Sequence, residues 1–390
     1  MSYAGLVVVI PTRNRSDLAK KAVESAVSQI DCNVQVLVSD NSTASESRSD
    51  LCDYCHERGD KRLRYLAPPG SLPMADHWDW AMRQALALYD ATHFAFLTDR
   101  MLFKPGALKP LIEIIASYPD EILTYMHDMV DDFAVPVVVR QYTWTGNLYE
   151  VPATRLLEMS AQSVMYDSCL PRMLNCIVPR NVLKAIQGRF GSIFAPIAPD
   201  WNFCYRALAV LDSILFHDQA ALVHYAQLRS NGQSSHYGIT NEAYGRFIRD
   251  LGSLPVNFAA PFPEIITVWN AIISEYCHAK EVTQSPKFPE VDLDKYRRVL
   301  AFGIDQIREP QRQKEMRMLL CARGWKPGEA PAPPAPPPPG VEVFYPRPIE
   351  FPIWDDAMDH ALHHPRERAA ASEHEALIHG VRLPLKTPID

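Results

Sequence analysis

The sequence predicts an α/β fold in which a mostly parallel, twisted sheet is flanked by helices. Short apolar runs at residues 6–10, 34–38 and 94–97 are typical of buried strands, and a polar segment follows each of them. Segments with apolar residues at helical spacing separate these runs. Strands that alternate with helices favour a doubly wound sheet with right-handed crossovers.

The first strand-helix-strand unit shows this pattern. Pro11 interrupts the first apolar run, and apolar residues then recur at helical spacing from Ser16 to about Gln29. Ser16 is the expected N-cap of this helix, because its hydroxyl can accept a hydrogen bond from a free backbone N–H. The second apolar run leads to Asp40, so polar side chains follow both strands at the same edge of the sheet.

The same order of elements continues along the chain. The expected elements are a helix ending near Arg58, a strand over 62–66, a helix over 73–89, a strand ending at Asp99, a helix over 105–118, strands over 122–126, 134–140 and 175–179, a helix with Asn181 as its N-cap, a helix over 201–211, and strands over 214–217 and 221–225. Parallel strands present their carboxyl ends at one edge, so we expect Thr12, Asp40 and Asp99 to lie together there.

Composition and charge exclude several classes of protein. The chain has 390 residues, of which 47% are hydrophobic, and its net charge of −7 gives no general attraction to nucleic acid. No apolar run approaches the ~18 residues of a membrane span, and no basic, apolar leader opens the sequence. We therefore expect a cytoplasmic protein with a sizeable core and no nucleic-acid partner.

The eight cysteines are scattered, which favours reduced thiols over a disulfide framework. Cys52, Cys55 and His56 match the C-x-x-C-H pattern of c-type haem attachment and could supply part of a zinc site. Haem attachment requires export, and no further ligand pair follows at zinc spacing. The pattern therefore favours thiols on the surface of a helix.

Several blocks of residues resemble successive motifs of the family 2 glycosyltransferases with the GT-A fold. They are Val8–Arg15, Val36–Ser42, Met74–Met82, Leu97–Met101 and a later acidic block, Ala198–Phe203. The resemblance covers roughly residues 5–240 and implies a GT-A domain over that region. It also implies that the protein transfers a sugar from a nucleotide-sugar donor.

The resemblance further implies a nucleotide site at the strand ends. Pro11, Thr12 and Arg13 match the family's loop around the nucleoside. Asp40 matches the carboxylate that accepts the N3–H of a uracil or thymine ring, so a UDP- or dTDP-sugar is favoured and a guanosine donor is left open. Asp99 matches the first acid of the acidic motif, close to the ribose and pyrophosphate.

The acidic motif departs from the family pattern at Asp99-Arg100-Met101. The last acid of the family's motif is the usual ligand of Mg²⁺ or Mn²⁺, whereas the thioether of Met101 is a poor ligand for a hard cation. Only Asp99 remains in this motif as a metal ligand. We therefore expect a reaction that does not depend on a metal ion; the alternative is Mg²⁺ or Mn²⁺ bound at Asp99.

Without a metal ion, cationic side chains must stabilise the diphosphate as the glycosidic bond breaks. The candidates are Arg13, Arg100, Lys104 and Arg229. The guanidinium of Arg100 can form paired hydrogen bonds to phosphate oxygens if it turns into the cleft. The alternative for Arg100 is a solvated cation on a loop.

Asp200 matches the family's general base, which takes the proton from the acceptor hydroxyl. A loop over 190–199 leads to it, and a helix over 201–211 follows. Near a helix N-terminus the helix dipole keeps a carboxylate ionised at neutral pH, where it can act as a base. The alternative for Asp200 is an ordinary N-cap aspartate.

Two further sets of residues have more than one interpretation. Tyr142 and Trp144 can stack on an acceptor sugar or pack against a neighbouring helix. His224 and His236 can reach the donor phosphates or lie on the surface as ordinary histidines.

Composition divides the chain into a GT-A domain over 1–240, a helical extension over 241–326, a polyproline linker over 327–340 and a tail over 341–390. The extension and the tail are candidate surfaces for a homo-oligomer. The basic stretch 308–326 is consistent with peripheral contact to an anionic membrane or with a solvated helix face. Asp356, His360 and His364 share one face of a tail helix and can bind a transition metal or face solvent.

We interpret the chain as an inverting glycosyltransferase that moves a sugar to a hydroxyl of a glycan, lipid-linked or small-molecule acceptor, as in polysaccharide biosynthesis. The inverting outcome rests on the resemblance. The alternative is a sugar-nucleotide-binding or scaffold protein that kept the GT-A fold and lost turnover. A nucleotidyltransferase is disfavoured, because no glycine-rich phosphate loop follows the first strand.

Overall fold

The computed structural model describes residues 5–29, 34–164, 169–230, 232, 258–326, 347–369, 378 and 380–385. Its strands are β1 (Leu6–Thr12), β2 (Val34–Asp40), β3 (Leu63–Leu66), β4 (His93–Phe96), β5 (Met101–Phe103), β6 (Leu123–Asp131), β7 (Val137–Gln141), β8 (Leu148–Pro152), β9 (Cys176–Pro179), β10 (Ser213–His224), β11 (Arg347–Phe351) and β12 (Val381–Leu383). Its helices are α1 (Ser16–Val27), α2 (Ser45–Glu57), α3 (Met74–Leu88), α4 (Leu108–Ser117), α5 (Ala153–Ala161), α6 (Arg180–Phe190), α7 (Pro199–Val210), α8 (Val268–Thr283), α9 (Leu293–Asp305), α10 (Pro310–Ala322) and α11 (Trp354–His363).

The first four strands form a parallel half-sheet in the order β4-β1-β2-β3. β1 and β4 are buried along their whole length, which explains why their sequences are almost continuously apolar. β1 pairs with β2 from Leu6 opposite Val34 to Thr12 opposite Asp40. The predicted α/β fold is confirmed, and the two strands place Thr12 and Asp40 side by side at one edge.

The residues of β1 alternate between two buried clusters, one on each face of the sheet. Val7 and Val9 pack in the cluster that contains Met82 of α3. Val8 packs in the cluster that contains Ala22 of α1. Helices therefore cover both faces, as a buried parallel sheet requires.

Beyond β4 the sheet is mixed. β9 runs antiparallel between β4 and β6, and β10 is parallel to β6. β10 is a single strand where the sequence predicted two, over 214–217 and 221–225. Its register shifts between His217 and Leu222, so its first half pairs with β8 and its second half with β5.

Two of the predicted helix caps are wrong. α1 begins at Ser16 itself, with Arg15 in the N-cap position and no side-chain cap. α6 has Pro179 in its N-cap position, and Asn181 lies inside the first turn, where its amide donates to Asp120. Asn181 Oδ1 does accept from Val182 N at 2.9 Å, but it does so from inside the first turn rather than from the N-cap position.

The helices of the extension and the elements of the tail pack on the same body. α8, α9 and α10 surround a cluster that contains Ile273, Leu300 and Leu320. In the tail, β11 pairs with β7 and β12 pairs with β8, both in antiparallel orientation. α11 buries Ala357 and Ala361 in a cluster with residues of β6, β7 and β10.

Some predictions fall outside the described residues, namely those for His236, for 241–257, for the linker 327–340 and for most of 370–390. No helix in the described ranges is both long and apolar enough to cross a bilayer. Within the basic stretch predicted over 308–326, α10 buries Met316 and Leu320 against the extension and leaves Met318 65% exposed.

Candidate active site

A carboxylate, a hydroxyl and a guanidinium meet where β1 and β4 end. Thr12, which follows Pro11 within β1, donates through Oγ1 to Asp99 Oδ2 at 2.8 Å, and Arg15 Nε lies 2.9 Å from the same oxygen. Asp99 is 1% exposed, and its Oδ1 accepts no hydrogen bond from the described part of the chain. The two predicted strand ends therefore come together and leave one buried carboxylate oxygen as an acceptor.

Arg100 points toward His224 rather than into solvent. Its Nη1 donates to His224 Nε2 at 3.1 Å, and the backbone N–H of Tyr225 donates to Arg100 O at 3.0 Å. Burial, followed by the charge of Arg15, lowers the pKa of Arg100 to about 10, and burial lowers the pKa of His224 well below its ordinary value. A neutral His224 can accept a hydrogen bond from a charged Arg100. The alternative of a solvated loop cation is therefore wrong.

The segment after β10 adds another arginine beside Arg15. Arg15 Nη1 donates to Arg229 O at 3.0 Å, and Arg229 Nη1 pairs with Asp17 Oδ2 at 2.6 Å. We call Arg15, Arg100 and Arg229 the cationic cluster. Lys104, which the sequence grouped with these arginines, is instead buried in an ion pair with Asp128 at 2.5 Å.

Asp40 lies at the end of β2, the strand beside β1, and is fully buried. Its Oδ1 accepts from Ser42 N at 2.8 Å, and its Oδ2 accepts from the Tyr65 hydroxyl at 2.9 Å. Burial, followed by the charge of Asp40, raises the pKa of Tyr65, which keeps this hydroxyl a donor. The side chain of Asp40 is 0% exposed, so a pyrimidine ring can contact it only after a neighbouring group moves.

The loop after β1 is tied to the loops after β2 and β3. Arg13 Nη1 donates to Leu72 O at 3.4 Å, and the side chain of Asn41 bonds to both the N–H and the carbonyl of Leu72. His77 of α3 contacts Ser39 Oγ through Nε2 at 2.8 Å. Burial, followed by the charge of Arg13, lowers the pKa of His77 to about 3, so the imidazole is neutral.

Asp200 lies in the first turn of α7, because this helix begins at Pro199 rather than at the predicted residue 201. The helix begins at Pro199 with Ala198 in the N-cap position, so the alternative of an N-cap aspartate is wrong. Proline suits the first helical position because its φ is already helical and it lacks an N–H. The segment before α7 packs on β4, where Phe194 stacks on Phe96 with ring centroids 5.2 Å apart.

Two buried charges hold the start of the segment that leads to α7. Asp79 of α3 accepts from Ile193 N at 2.7 Å and from Phe194 N at 3.3 Å. Arg206 of α7 donates to Ser192 O at 2.8 Å. These contacts hold the backbone of the loop against α3 and α7. The two helices therefore help to determine the path of the loop.

A third buried charge, Glu275 of α8, holds the end of the same segment. Its Oε1 accepts from Ile197 N at 2.7 Å and from Ala198 N at 3.0 Å. Glu275, Asp79 and Arg15 were not predicted from the sequence. Glu275 lies in a helix that matches no motif, and the other two stand inside matched blocks at positions that the resemblance did not single out.

Arg172 lies between the start of α7 and the cationic cluster. Its guanidinium stands 5.2 Å from the ring of Trp201, the residue after Asp200. Its charge also contributes, after burial and the charges of Arg100 and His127, to the low pKa of His224. Positive charge therefore extends from the end of β4 toward α7.

The residues around Asp99 do not fit a magnesium or manganese site. Asp99 Oδ2 is occupied by Thr12 and Arg15, whose positive charge opposes a divalent cation. Met101 is buried in β5 and offers only a thioether. In the ranges that the structure describes, no three His, Cys, Asp or Glu side chains lie close enough together to hold a metal ion.

The tail contacts the aromatic segment that the sequence singled out. Trp144 Nε1 donates to Arg366 O at 2.7 Å, and the guanidinium of Arg368 lies 5.6 Å from the ring centroid. Tyr142 and Trp144 line a cavity of about 240 Å³ beside the tail. His360 contacts Gln141 Oε1 at 3.1 Å, and the metal alternative for Asp356, His360 and His364 is not supported by the described residues.

Comparison with known proteins gives a family match and weaker likenesses. The family model described as glycosyl transferase family 2 matches residues 7–154. Protein CgeD of Bacillus subtilis (strain 168) is 20% identical over 195 residues, which are 50% of this chain and 43% of CgeD. The chain therefore spans less than half the length of this curated relative.

Among solved structures, S. aureus TarS is 15% identical at a TM-score of 0.44, covering 82% of this chain and 53% of TarS. TarS 1–349 in complex with UDP is 14% identical at a TM-score of 0.47, covering 82% of this chain and 92% of that one. The family match begins in β1 and runs through the strands that carry Thr12, Asp40 and Asp99. Over residues 7–154, the chain is therefore similar to glycosyl transferase family 2.

Proposed function

We propose that the protein is an inverting glycosyltransferase that uses a UDP- or dTDP-sugar and a hydroxyl acceptor. The observation that carries this proposal is the meeting of Thr12, Arg15, Asp99 and Arg100 at the carboxyl edge of the parallel strands. Ligands of open α/β sheets bind at this edge. A buried carboxylate with an unused oxygen beside fixed guanidinium groups suits a ribose hydroxyl next to a diphosphate.

In the proposed reaction, the acceptor oxygen attacks the anomeric carbon from the face opposite the diphosphate. The bond from the anomeric carbon to the diphosphate oxygen breaks, and its electron pair leaves with the diphosphate. Asp200 takes the proton of the acceptor hydroxyl, since the first turn of α7 favours its ionised form. Asp40 is the proposed acceptor for the N3–H of the pyrimidine ring.

Guanidinium groups take the place of a metal ion in this proposal. Arg15 is held by Asp99, and Arg100 is held by His224, so positive charge is already in place when the diphosphate departs. Arg13 and Arg229 lie on the adjoining loops and add to the positive electrostatic potential. No step is assigned to Mg²⁺ or Mn²⁺, because the residues around Asp99 do not fit either ion.

A thermal-shift panel of UDP, dTDP, GDP and ADP tests the nucleotide site. We expect UDP or dTDP to raise the melting temperature most, because a ligand that binds only the folded state stabilises it by mass action. Each nucleotide is measured with Mn²⁺ and with EDTA, and we expect the two conditions to agree. Stabilisation by none of the four would refute the nucleotide site, and stabilisation only with Mn²⁺ would refute the metal-free mechanism.

Release of UDP or dTDP from sugar nucleotides separates an enzyme from a binding protein. We expect slow hydrolysis of the donor by the wild-type protein and faster release once a hydroxyl acceptor is supplied. Stabilisation by nucleotide without any release, across a panel of donors and acceptors, would favour the sugar-nucleotide-binding scaffold instead.

A further inference from the structure

Glu275 lies within α8, is 3% exposed and faces the start of α7. In addition to its contacts with Ile197 N and Ala198 N, it accepts through Oε2 from Asn202 Nδ2 at 2.8 Å. These three donors stand on both sides of Asp200 in the chain. A single side chain of the extension therefore holds the backbone before Asp200 and the helix turn after it.

One of these donors, Ala198 N, is the backbone N–H of the N-cap residue of α7. The first N–H groups of a helix have no partner within the helix, and a buried donor without a partner is destabilising. α7 has no side-chain cap of its own. Glu275 supplies an acceptor from another element, through the bond from Ala198 N to its Oε1.

Because residue 199 is a proline, the direction of the first turn of α7 depends on the residue before it. Pro199 has a fixed φ, so the direction of the first turn follows from the backbone of Ala198. Ala198 N is bound by Glu275, and Ala198 O accepts from Asn202 N at 2.8 Å. A rotation of this residue would carry Asp200 with it.

We infer that Glu275 is a positioning residue that holds Asp200 in its catalytic orientation, so that the helical extension forms part of the catalytic unit. This inference rests on the proposed function. Glu275 itself contacts neither the donor nor the acceptor in this scheme. It acts on Asp200 through the backbone of 197–198 and through Asn202.

Two substitutions in the full chain test the inference. Glu275→Ala removes the acceptor, whereas Glu275→Gln keeps an oxygen for Ile197 N and Ala198 N and can bond to Asn202 after its amide turns over. Hydrogen exchange of the peptide over 193–202 measures how strongly the backbone of this segment is protected, and it needs no substrate. Steady-state kinetics then separate kcat from the KM for the donor.

For Glu275→Ala we expect exchange in this peptide to accelerate by about tenfold or more, since two of its backbone N–H groups lose their buried acceptor. We expect kcat to fall by about tenfold or more, because the base is displaced, with the donor KM within about twofold. Glu275→Gln should retain most of the protection and most of kcat. Glu281→Gln, at an exposed position on the same helix, is the matched control and should behave as wild type.

Unchanged exchange in Glu275→Ala overturns the inference, and so does a Glu275→Gln variant as damaged as Glu275→Ala. Equal losses in kcat and in donor affinity also overturn it, because they indicate a general structural defect. If Glu275→Ala fails to fold, Glu275→Asp carries the same test, since the shorter side chain cannot reach all three donors. If the wild-type protein transfers no sugar, the proposed function fails, while the exchange result still decides whether Glu275 holds the segment.

Discussion

Asp99 is a single carboxylate that contacts a hydroxyl and a guanidinium at the point where a diphosphate is proposed to bind. Burying a carboxylate is unfavourable unless it is paired and hydrogen-bonded, and Thr12 and Arg15 meet both needs. The same pairing fixes the position of Arg15. The carboxylate at the end of this strand therefore orients a cationic side chain.

Arg100 tests this arrangement directly. We expect Arg100→Gln to weaken UDP binding by about tenfold in buffer without divalent cations, because a charge-assisted contact to the diphosphate is lost. UMP binding should change by less than about twofold, since UMP lacks the β-phosphate. Isothermal titration calorimetry measures both affinities.

Arg317→Gln provides the control for this measurement, because Arg317 lies on α10 with a side chain that is 51% exposed. It should leave both affinities unchanged. Equal losses of UDP and UMP affinity in Arg100→Gln would mean that Arg100 does not contact the β-phosphate.

Asp200→Asn removes the proposed base and keeps the shape of the side chain. We expect kcat to fall by about a thousandfold, within the range that general base catalysis contributes. UDP affinity should stay within about twofold of wild type, because Asp200 contacts the acceptor side. Transfer assays and calorimetry on the same preparation check both expectations, with the exposed Asp90→Asn as control. Retained turnover would exclude Asp200 as the base.

Among the individual site residues, the sequence predicted those that lie at the end of an apolar strand. Thr12 and Asp99 stand at such strand ends, and the structure brings them into contact. Arg15 was not singled out, and for His224 the sequence offered a contact with the donor phosphates or a place on the surface, but not its contact with Arg100. Their roles arise from contacts between distant parts of the chain, such as His224 with Arg100.

Among the elements, the segment before α7 depends most on its surroundings. Asp79, Arg206 and Glu275 reach it from three helices and bind its backbone. The sequence predicted that a loop delivers Asp200 to a helix start, because glycine and prolines interrupt the apolar pattern there. It could not predict what holds the loop, since a buried glutamate in a helix has the same local pattern as an exposed one.

The pH dependence of protein stability tests the burial of Glu275 beside this segment. Burial raises the pKa of Glu275 from an ordinary value of 4.5 to about 7. The folded state therefore binds the proton more tightly than the unfolded state, and this contribution to stability is lost as the pH rises through the folded pKa. We expect the free energy of unfolding of the wild type, relative to Glu275→Gln, to decrease from about pH 5 to about pH 8.

Urea denaturation of both proteins across that pH range measures the difference. The charged or titratable groups around Glu275 are Arg206 on α7, Asp79 beside Arg206, and His278 on α8. All three are present in both proteins, so their titration contributes similarly to each. A difference that does not change with pH would contradict the raised pKa of Glu275.

For the whole molecule, the main feature is that the tail adds strands to the sheet formed by the preceding elements. β11 and β12 cover the edges of β7 and β8, and α11 closes an apolar cluster over them. The sequence predicted the alternating N-terminal elements because their pattern is local. It could not predict these pairings, because strands so far apart carry no periodic signal of their partner.

Trp354 connects the tail with the site. Its ring lies 6.4 Å from that of Tyr225, whose backbone N–H donates to Arg100 O. We expect Trp354→Ala to lower the free energy of unfolding by about 2 kcal/mol, less than for a fully buried tryptophan, and to weaken UDP binding as well. Ile353→Ala, at a neighbouring position that is 58% exposed, should do neither. Denaturation and calorimetry measure the two effects, and an unchanged UDP affinity would show that the tail does not support the site.

The pairing of β11 with β7 and of β12 with β8 has a consequence for biosynthesis. The ribosome releases β7 and β8 long before the strands that cover them, because β8 ends at Pro152 and β11 begins at Arg347. During that interval the nascent chain exposes two open edges that can pair with another nascent chain. Newly made protein should therefore need chaperone protection until the tail has been translated, and production at low temperature should improve its yield.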